Sequence, residues 1–327
     1  MGKVKEVFKK HTLVVVFIVL CVVFACATES FLTVSNLTDV IRTNTINGLL
    51  AVGLTYVILS GGIDLSVEAT VCLAGLIAEY LSPMPVVAVA AGVGVGALIG
   101  LFNGLVLEKS GVQPFIFTLA MSRLLRGVVL AITKGKNYYT IDASFTAIVR
   151  SKICGIPTLI ILFVLIVVIT YLALNRARYG RYIYAVGSNE EAARLSGIRT
   201  HRIKVSAYLI AGILAGLAGV LLTARLSGAE TNAADGWSLD AVSAVIIGGT
   251  SLRGGRGGIL NTLLGIFIIA VLNNGMTLMG IPTNYNQLVK GLLMLVAVLL
   301  DMSNRKKSDV GGPASPESNK RKKETGK

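Results

Sequence analysis

Apolar residues in this chain come in long blocks, without the short alternations of a soluble fold. Mostly apolar runs occupy 12–28, 45–60, 66–82, 86–107, 112–132, 155–174, 203–226, 240–250, 258–279 and 286–301. A membrane-spanning helix needs roughly 20 such residues. The ten runs therefore predict an all-α, polytopic membrane protein with about ten transmembrane helices. The eighth, Asp240 to Thr250, is too short to cross alone and is expected to be broken or re-entrant. Membrane depth tolerates such backbone where it lines a cavity or packs in protein.

Composition agrees. Hydrophobic residues make up 54% of the 327 positions and charged residues 15%, too apolar for a soluble surface to cover. The net charge of +14 would also suit nucleic-acid binding, so its placement matters. The head (1–11) carries four bases, the 176–204 segment seven and the tail (302–327) eight; net of six acids, these hold thirteen of the fourteen positive charges. Ten spans put all three segments on one side, and the positive-inside bias makes that side cytoplasmic. Loop 133–153, with Lys134, Lys136, Arg150 and Lys152 against Asp142, is an exception that weakens the bias without reversing it. The charge thus reports topology, and no nucleic-acid partner is expected. The chain divides into a cytoplasmic head (1–11), a transmembrane domain (12–301) and a disordered basic tail (302–327) suited to anionic lipid. The head and first run mimic a signal peptide, ending in Ala25-Cys26-Ala27, but nine further spans favour an uncleaved first helix.

Catalytic chemistry is sparse. Cys21, Cys26, Cys72 and Cys154 lie in or beside apolar runs and read as small buried hydrophobes; His11 and His201 have no partner histidine. Neither a metal nor a cofactor is expected. Two nucleotide-like motifs mislead. Gly92-x-Gly94-x-Gly96 lies in an apolar span, and Leu59-Ser60-Gly61-Gly62, an ATPase-cassette signature, has no P-loop to work with. The glycines at 92, 96, 100 and 104, following Ala88, form a groove that lets a neighbouring backbone approach. Gly212, Gly216 and Gly219 offer a similar surface.

Polar residues inside the spans are the pathway candidates, because such groups normally face protein or water. They are Asn44, Asn47, Asp64, Ser66, Asn103, Arg123, Arg126, Asn273 and Asn274. Arg123 and Arg126, three apart, share one helix face, and Arg126 also suits snorkelling to headgroups. The asparagines suit an uncharged hydroxylated solute and interhelical hydrogen bonds equally well. The breaks Gly61-Gly62-Ile63-Asp64-Leu65 and Gly248-Gly249-Thr250-Ser251-Leu252 resemble each other. Paired interruptions point to an internal repeat around a transport pathway; thirty-six glycines make coincidence the other reading.

The 176–204 loop is the most informative stretch. Ser188 and Glu191 form a capping-box pattern, Glu190 and Glu191 suit the positive end of a helix dipole, and Gly197 is a terminator. The helix this predicts, through Ala192, Ala193, Arg194 and Leu195, is too short to hold alone in water. It must dock on the chain's own ends or on a separate subunit.

Glu191-Ala192-Ala193-x-x-x-Gly197 resembles the coupling loop of ABC importer permeases, without the Ile-x-Leu-Pro ending of its fullest form. Residues from roughly 40 to 300 resemble ribose-type sugar permeases of bacterial ABC importers. The resemblance rests on Gly61 through Val67, Asn103-Gly104, Pro114-Phe115-Ile116, Gly187 through Ile198, Ile247 through Leu252, Gly254 through Gly257 and Asn273-Asn274-Gly275. Departures occur at Glu68, where a small residue is usual, at Ser238, where an acid is expected, at Arg123, and at Pro282-Thr283-Asn284-Tyr285. They bear on the substrate more than on the class.

The resemblance implies a permease subunit that imports a monosaccharide or similar solute across the bacterial cytoplasmic membrane, with both termini cytoplasmic. ATPase subunits would dock on the 188–197 helix, an extracytoplasmic binding protein would deliver solute, and a second permease copy or paralogue would complete the pathway. Hydrolysis would belong to the ATPases. Permeases for nucleosides or branched-chain amino acids share this architecture. An ion-coupled transporter would need a mid-membrane carboxylate, whereas Asp64, Glu68 and Glu79 sit near span ends. A membrane enzyme would need a His/Asp/Glu cluster within the spans.

Overall fold

The computed structural model describes residues 12–139 and 142–282, together with positions 285, 288, 289, 291, 292 and 295. The head, the tail and most of the expected last span lie outside the described residues. In chain order the helices are α1 (Thr12–Ala27), α2 (Val34–Leu59), α3 (Val67–Tyr80), α4 (Pro85–Ser110), α5 (Pro114–Thr133), α6 (Ala143–Arg150), α7 (Thr158–Asn175), α8 (Arg178–Ser188), α9 (Glu190–Leu195), α10 (Thr200–Leu226), α11 (Trp237–Ile247) and α12 (Ile259–Leu278). Five of them, α4, α5, α7, α10 and α12, are long and apolar enough to cross a membrane; α1 and α11 are shorter apolar helices.

The fold is almost entirely helical. One departure from the all-α expectation is a hairpin of β1 (Lys152–Ile153) and β2 (Ile156–Pro157). Its turn residues Cys154 and Gly155 both have left-handed backbone, φ 51° and 81°, the geometry that matches strand twist. The turn leaves Cys154 exposed, and Cys26 is exposed on α1. These two cysteines therefore depart from the expected burial, whereas Cys72 is buried. Helix α2 starts at 34 instead of 45 because its polar first turns are capped: Thr33 accepts from the Asn36 amide at 3.3 Å. Asn36 and Asn274 exchange two side-chain hydrogen bonds of 3.0 and 2.8 Å, tying α2 to α12.

Helix α10 is the axis of the bundle and packs against α4, α3 and α2. Between apolar helices in lipid little hydrophobic gain remains, so close van der Waals packing holds the contact. The glycine stripes supply it. A methyl at Gly96 would overlap Gly212 O and approach Gly216 Cα to 2.7 Å; one at Gly100 would overlap Tyr208 O. The arrangement is reciprocal, because a methyl at Gly212 would overlap Gly96 O. Gly75 of α3 faces Gly219 in the same way, and Gly53 of α2 lies against Ala211. Three helices thus approach α10 through positions lacking side chains. By contrast α4, α5 and α7 each turn most of their apolar surface outward, with only 22% of their most apolar stretch buried.

The two ends of the bundle differ. At one end Tyr138 and Ala229 pair through backbone hydrogen bonds of 3.0 and 2.8 Å. Asn137 accepts from the Thr231 amide at 3.1 Å, and Arg150 donates to Ser227 at 2.7 Å. Segments 134–139, 142–157 and 227–236 thus form a cap there. The other end carries α8, α9 and the 250–258 loop.

The α4–α10 contact predicts that Gly96→Leu and Gly212→Leu each lose at least about 1–3 kcal/mol of stability through overpacking. Gly94→Leu, where a side chain meets open space, should be neutral. Thermal unfolding of detergent-solubilised protein checks both expectations.

Candidate functional site

Three polar zones stand out, at the α9 end, at the break after α2 and under the cap. In the first, α9 follows α8 after the single residue Asn189. The expected Ser188–Glu191 capping box is not formed, because Ser188 is still the last residue of α8. Asn189, with extended backbone (φ −159°, ψ 101°), is the first to leave that helix, and its side chain accepts from the Ala192 amide at 2.9 Å. Glu191 turns instead to Arg194, and those hydrogen bonds hold its carboxyl below the usual range. Helix α9 therefore has six residues where about eight are expected. Gly197 ends it with φ +84°; the Gly197 and Ile198 amides donate to Arg194 O and Ala193 O at 3.0 and 3.1 Å, a Schellman end.

Two anchors hold this short helix. Ala193 is buried, and Lys204 of α10 reaches both Glu190 of α9 and Glu108 of α4. Its outer face is free: Leu195 is 77% exposed, beside the exposed Glu190, Glu191, Ala192 and Arg194. A cavity of about 440 Å³ adjoins it, lined by Tyr182, Arg199, Arg202 and the 196–198 turn. This exposed, partly apolar face stands on a helix too short to hold alone in water.

The second zone follows the left-handed end of α2. Asp64, Ser66 and Asn103 are fully buried and in mutual contact. Ser66 donates from its amide and its hydroxyl to Asp64 Oδ1 at 2.9 and 2.6 Å, and Asn103 donates to Ser66 Oγ at 2.8 Å. Thr118 of α5 accepts from the Leu65 amide at 3.1 Å, and Tyr208 of α10 donates to Ile63 O at 3.2 Å. Asp64 thus sits before the first turn of α3, where the helix dipole favours a negative group. Among the described residues Asn103 Oδ1 has no hydrogen-bond partner.

The third zone joins α3 and α5 to the 231–238 segment. Glu68 Oε2 accepts from the Ser238 amide and hydroxyl at 3.2 and 2.8 Å, and its Oε1 accepts from the Ser122 hydroxyl at 3.5 Å. Two of the departures from the family pattern therefore touch: the carboxylate stands on α3 and the hydroxyl on α11. Arg126 donates to Asn232 at 2.6 Å and lies 3.4 Å from Asp235. It pins the cap segment, while Arg123 is exposed on α5. The remaining candidates lie elsewhere: Asn44 bonds back to Val40 O at 2.8 Å, Asn274 pairs with Asn36, and Asn47 and Asn273 each keep a buried acceptor without a partner among the described residues. Reasoning from sequence missed Lys204, Asn189, Asn232 and Asp235. Only Asn189, a strong helix-capping residue directly before two acids, left a readable signal.

Long apolar helices packed through glycine contacts, with α2 and α11 each ending in a left-handed glycine turn, define a multi-pass membrane protein. The chain belongs to the family described as branched-chain amino acid transport system / permease component, which matches residues 36–298. It is 41% identical over 294 residues to the ribose import permease protein of Escherichia coli (strain K12), covering 88% of this chain and 92% of that one. Identity to the ribose import permease protein of Bacillus subtilis (strain 168) is 43% over 297 residues, covering 89% and 91%. The D-allose transport system permease protein of E. coli K12 is 35% identical over 297 residues, covering 90% and 91%. No solved structure matches the chain.

Removing the pin should loosen the cap. Arg126→Ala is expected to raise amide hydrogen exchange across 230–238 by about tenfold, the loss of one charge-assisted bond; Arg123→Ala should leave it unchanged.

Proposed function

We propose that this chain is the permease subunit of an ATP-driven importer for a monosaccharide or similar small hydroxylated solute in the bacterial cytoplasmic membrane. It crosses the membrane about ten times with both termini cytoplasmic, and it works beside a second permease copy or paralogue. A binding protein outside delivers solute, and partner ATPases hydrolyse the ATP.

Identity of 41% and 43% to the two ribose import permeases across nine-tenths of the chain supports the solute class. The docking role rests on one observation, the exposed Glu190–Leu195 face of a six-residue helix held to the bundle by Lys204. Alternating access follows from that placement. Closure of the ATPase pair displaces α9, and the bundle ends attached to it reopen the pathway on the other side. The buried set Asp64, Ser66 and Asn103 supports a polar lining where α2 breaks, and Arg123, on the outward face of α5, supports contact with the second copy or with a water-filled pathway.

Two measurements test this reading. Glu191→Arg combined with Leu195→Arg should cut co-purification of the ATPase by at least about tenfold, with normal membrane insertion; unaltered association and uptake would refute the docking role. Uptake of radiolabelled D-ribose against L-leucine, with the cognate binding protein, separates the solute classes. The expectation is ribose uptake without leucine uptake, and the reverse would move the chain to the amino-acid branch.

A further inference from the structure

Between α8 and the ends of the two broken helices lies a contact made mostly of backbone atoms. Gly187, next to last in α8, lies against the end of α2: a methyl there would overlap Leu59 O and stand 2.5 Å from Gly255 N. The Gly255 amide donates to Leu59 O at 2.9 Å. A methyl on Gly255 would overlap Ser188 Oγ and come within 2.7 Å of the Ser188 backbone N and Cα, and one on Gly254 within 2.8 Å of Leu59 O and 2.9 Å of Gly61 N. Gly254 and Gly255 also hold φ of +85° and +69°, so any L-residue there is strained as well as crowded. A second tie runs from Tyr184 OH to Gly257 O at 2.9 Å.

What this contact joins is specific. The end of α2 closes with Gly61 N to Ile58 O and Gly62 N to Val57 O, at 3.0 and 2.9 Å. The end of α11 closes identically, Gly249 N to Ile246 O and Thr250 N to Val245 O, at 2.8 and 3.1 Å. Gly61 and Gly249 have matching φ of +87° and +84°. The two breaks therefore correspond with Gly61 on Gly249, one residue away from the correspondence the glycine pairs suggest. The first break leads into the Asp64–Ser66–Asn103 cluster. The second leads into the 251–257 loop, which closes through Ser251 N to Arg256 O at 2.9 Å and then starts α12. Helix α9 follows the same joint after the single residue Asn189, and Lys204 ties it to α10 and α4 as well.

We infer that Gly187, Gly254 and Gly255 form the joint that passes displacement of α9 to both helix breaks. Contacts made through long side chains yield by changing rotamer; a hydrogen-bonded backbone contact at packed density has no rotamer to change. A push on α9 therefore moves Leu59–Gly61 and the 253–257 loop with it, and with them the entries to the buried polar cluster and to α12. These glycines are positioning residues, acting through the helix ends they hold. The inference rests on the reading of α9 as the ATPase dock.

The test uses the full permease reconstituted with its ATPase and binding protein, comparing Gly187→Ala and Gly255→Ala with Gly258→Ala. In Gly258→Ala the added methyl meets only Tyr184 OH, at 3.6 Å. ATPase co-purification reports the dock, and D-ribose moved per ATP hydrolysed reports the joint. The joint variants should keep ATPase association within about twofold and lose at least about tenfold in ribose per ATP, while Gly258→Ala matches the wild type. Normal association with an unchanged ratio would overturn the inference, and so would loss of association or an equal loss in Gly258→Ala. If Gly187→Ala fails to insert, Gly255→Ala, in a loop, carries the same test. Failure of the dock shows separately, as intact association in the α9 double variant.

Discussion

Backbone touching backbone is the constraint on which this protein depends. Lipid offers helices little reason to associate beyond the closeness they achieve. Here closeness is obtained by leaving side chains out: Gly96 and Gly100 against Gly212, Gly75 against Gly219, Gly187 against Leu59 O. The same device makes a static core around α10 and, at one end of the bundle, a stiff joint between α8 and two helix breaks. Because such a contact has no flexible side chain to yield, it serves both to hold the fold and to transmit motion.

Much of the fold was legible from the pattern of apolar blocks, and the reason is physical. Helices that must satisfy every backbone group internally leave a block of fixed minimum length. The short eighth segment was readable as 240–250 and is observed as 237–247. The glycine stripe at 92, 96, 100 and 104 was readable because four-residue spacing falls on one face. What stayed hidden was partnership at a distance. Nothing local announces that Lys204 bridges Glu108 and Glu190, or that Glu68 accepts from Ser238, 170 residues away. The cap of α9 was misplaced by one residue for a local reason: Ser188 continues α8, so only Asn189 has the extended backbone that points a side chain at free amides. Likewise Arg123 and Arg126, neighbours in the pattern, part company because the 231–236 segment comes close enough to engage only Arg126.

The polar groups fall into an order that suits transport. Buried, neutral or capped groups stand where α2 breaks; charged groups stand at the two ends, one set pinning a cap and the other holding α9 to the bundle. Charge at the ends costs less than charge in the middle. Asp64, fully buried at the α2 break, is compensated locally by Ser66 and by the first turn of α3. Membership of the permease family and the mostly helical membrane bundle set the class of this protein. The geometry adds a route from surface helix to interior.

That route is tested most directly by a distance. Spin labels at Leu195 of α9 and at Arg253 of the 250–258 loop, both exposed, report on either side of the joint. Pulsed electron–electron resonance on the reconstituted transporter, with and without ATP, compares the two states. A stiff joint predicts a Leu195–Arg253 distance that stays within the width of its distribution, while a label pair from Leu195 to the exposed Asp235 shifts. A Leu195–Arg253 distance that changes with ATP as much as the Leu195–Asp235 distance would contradict the account.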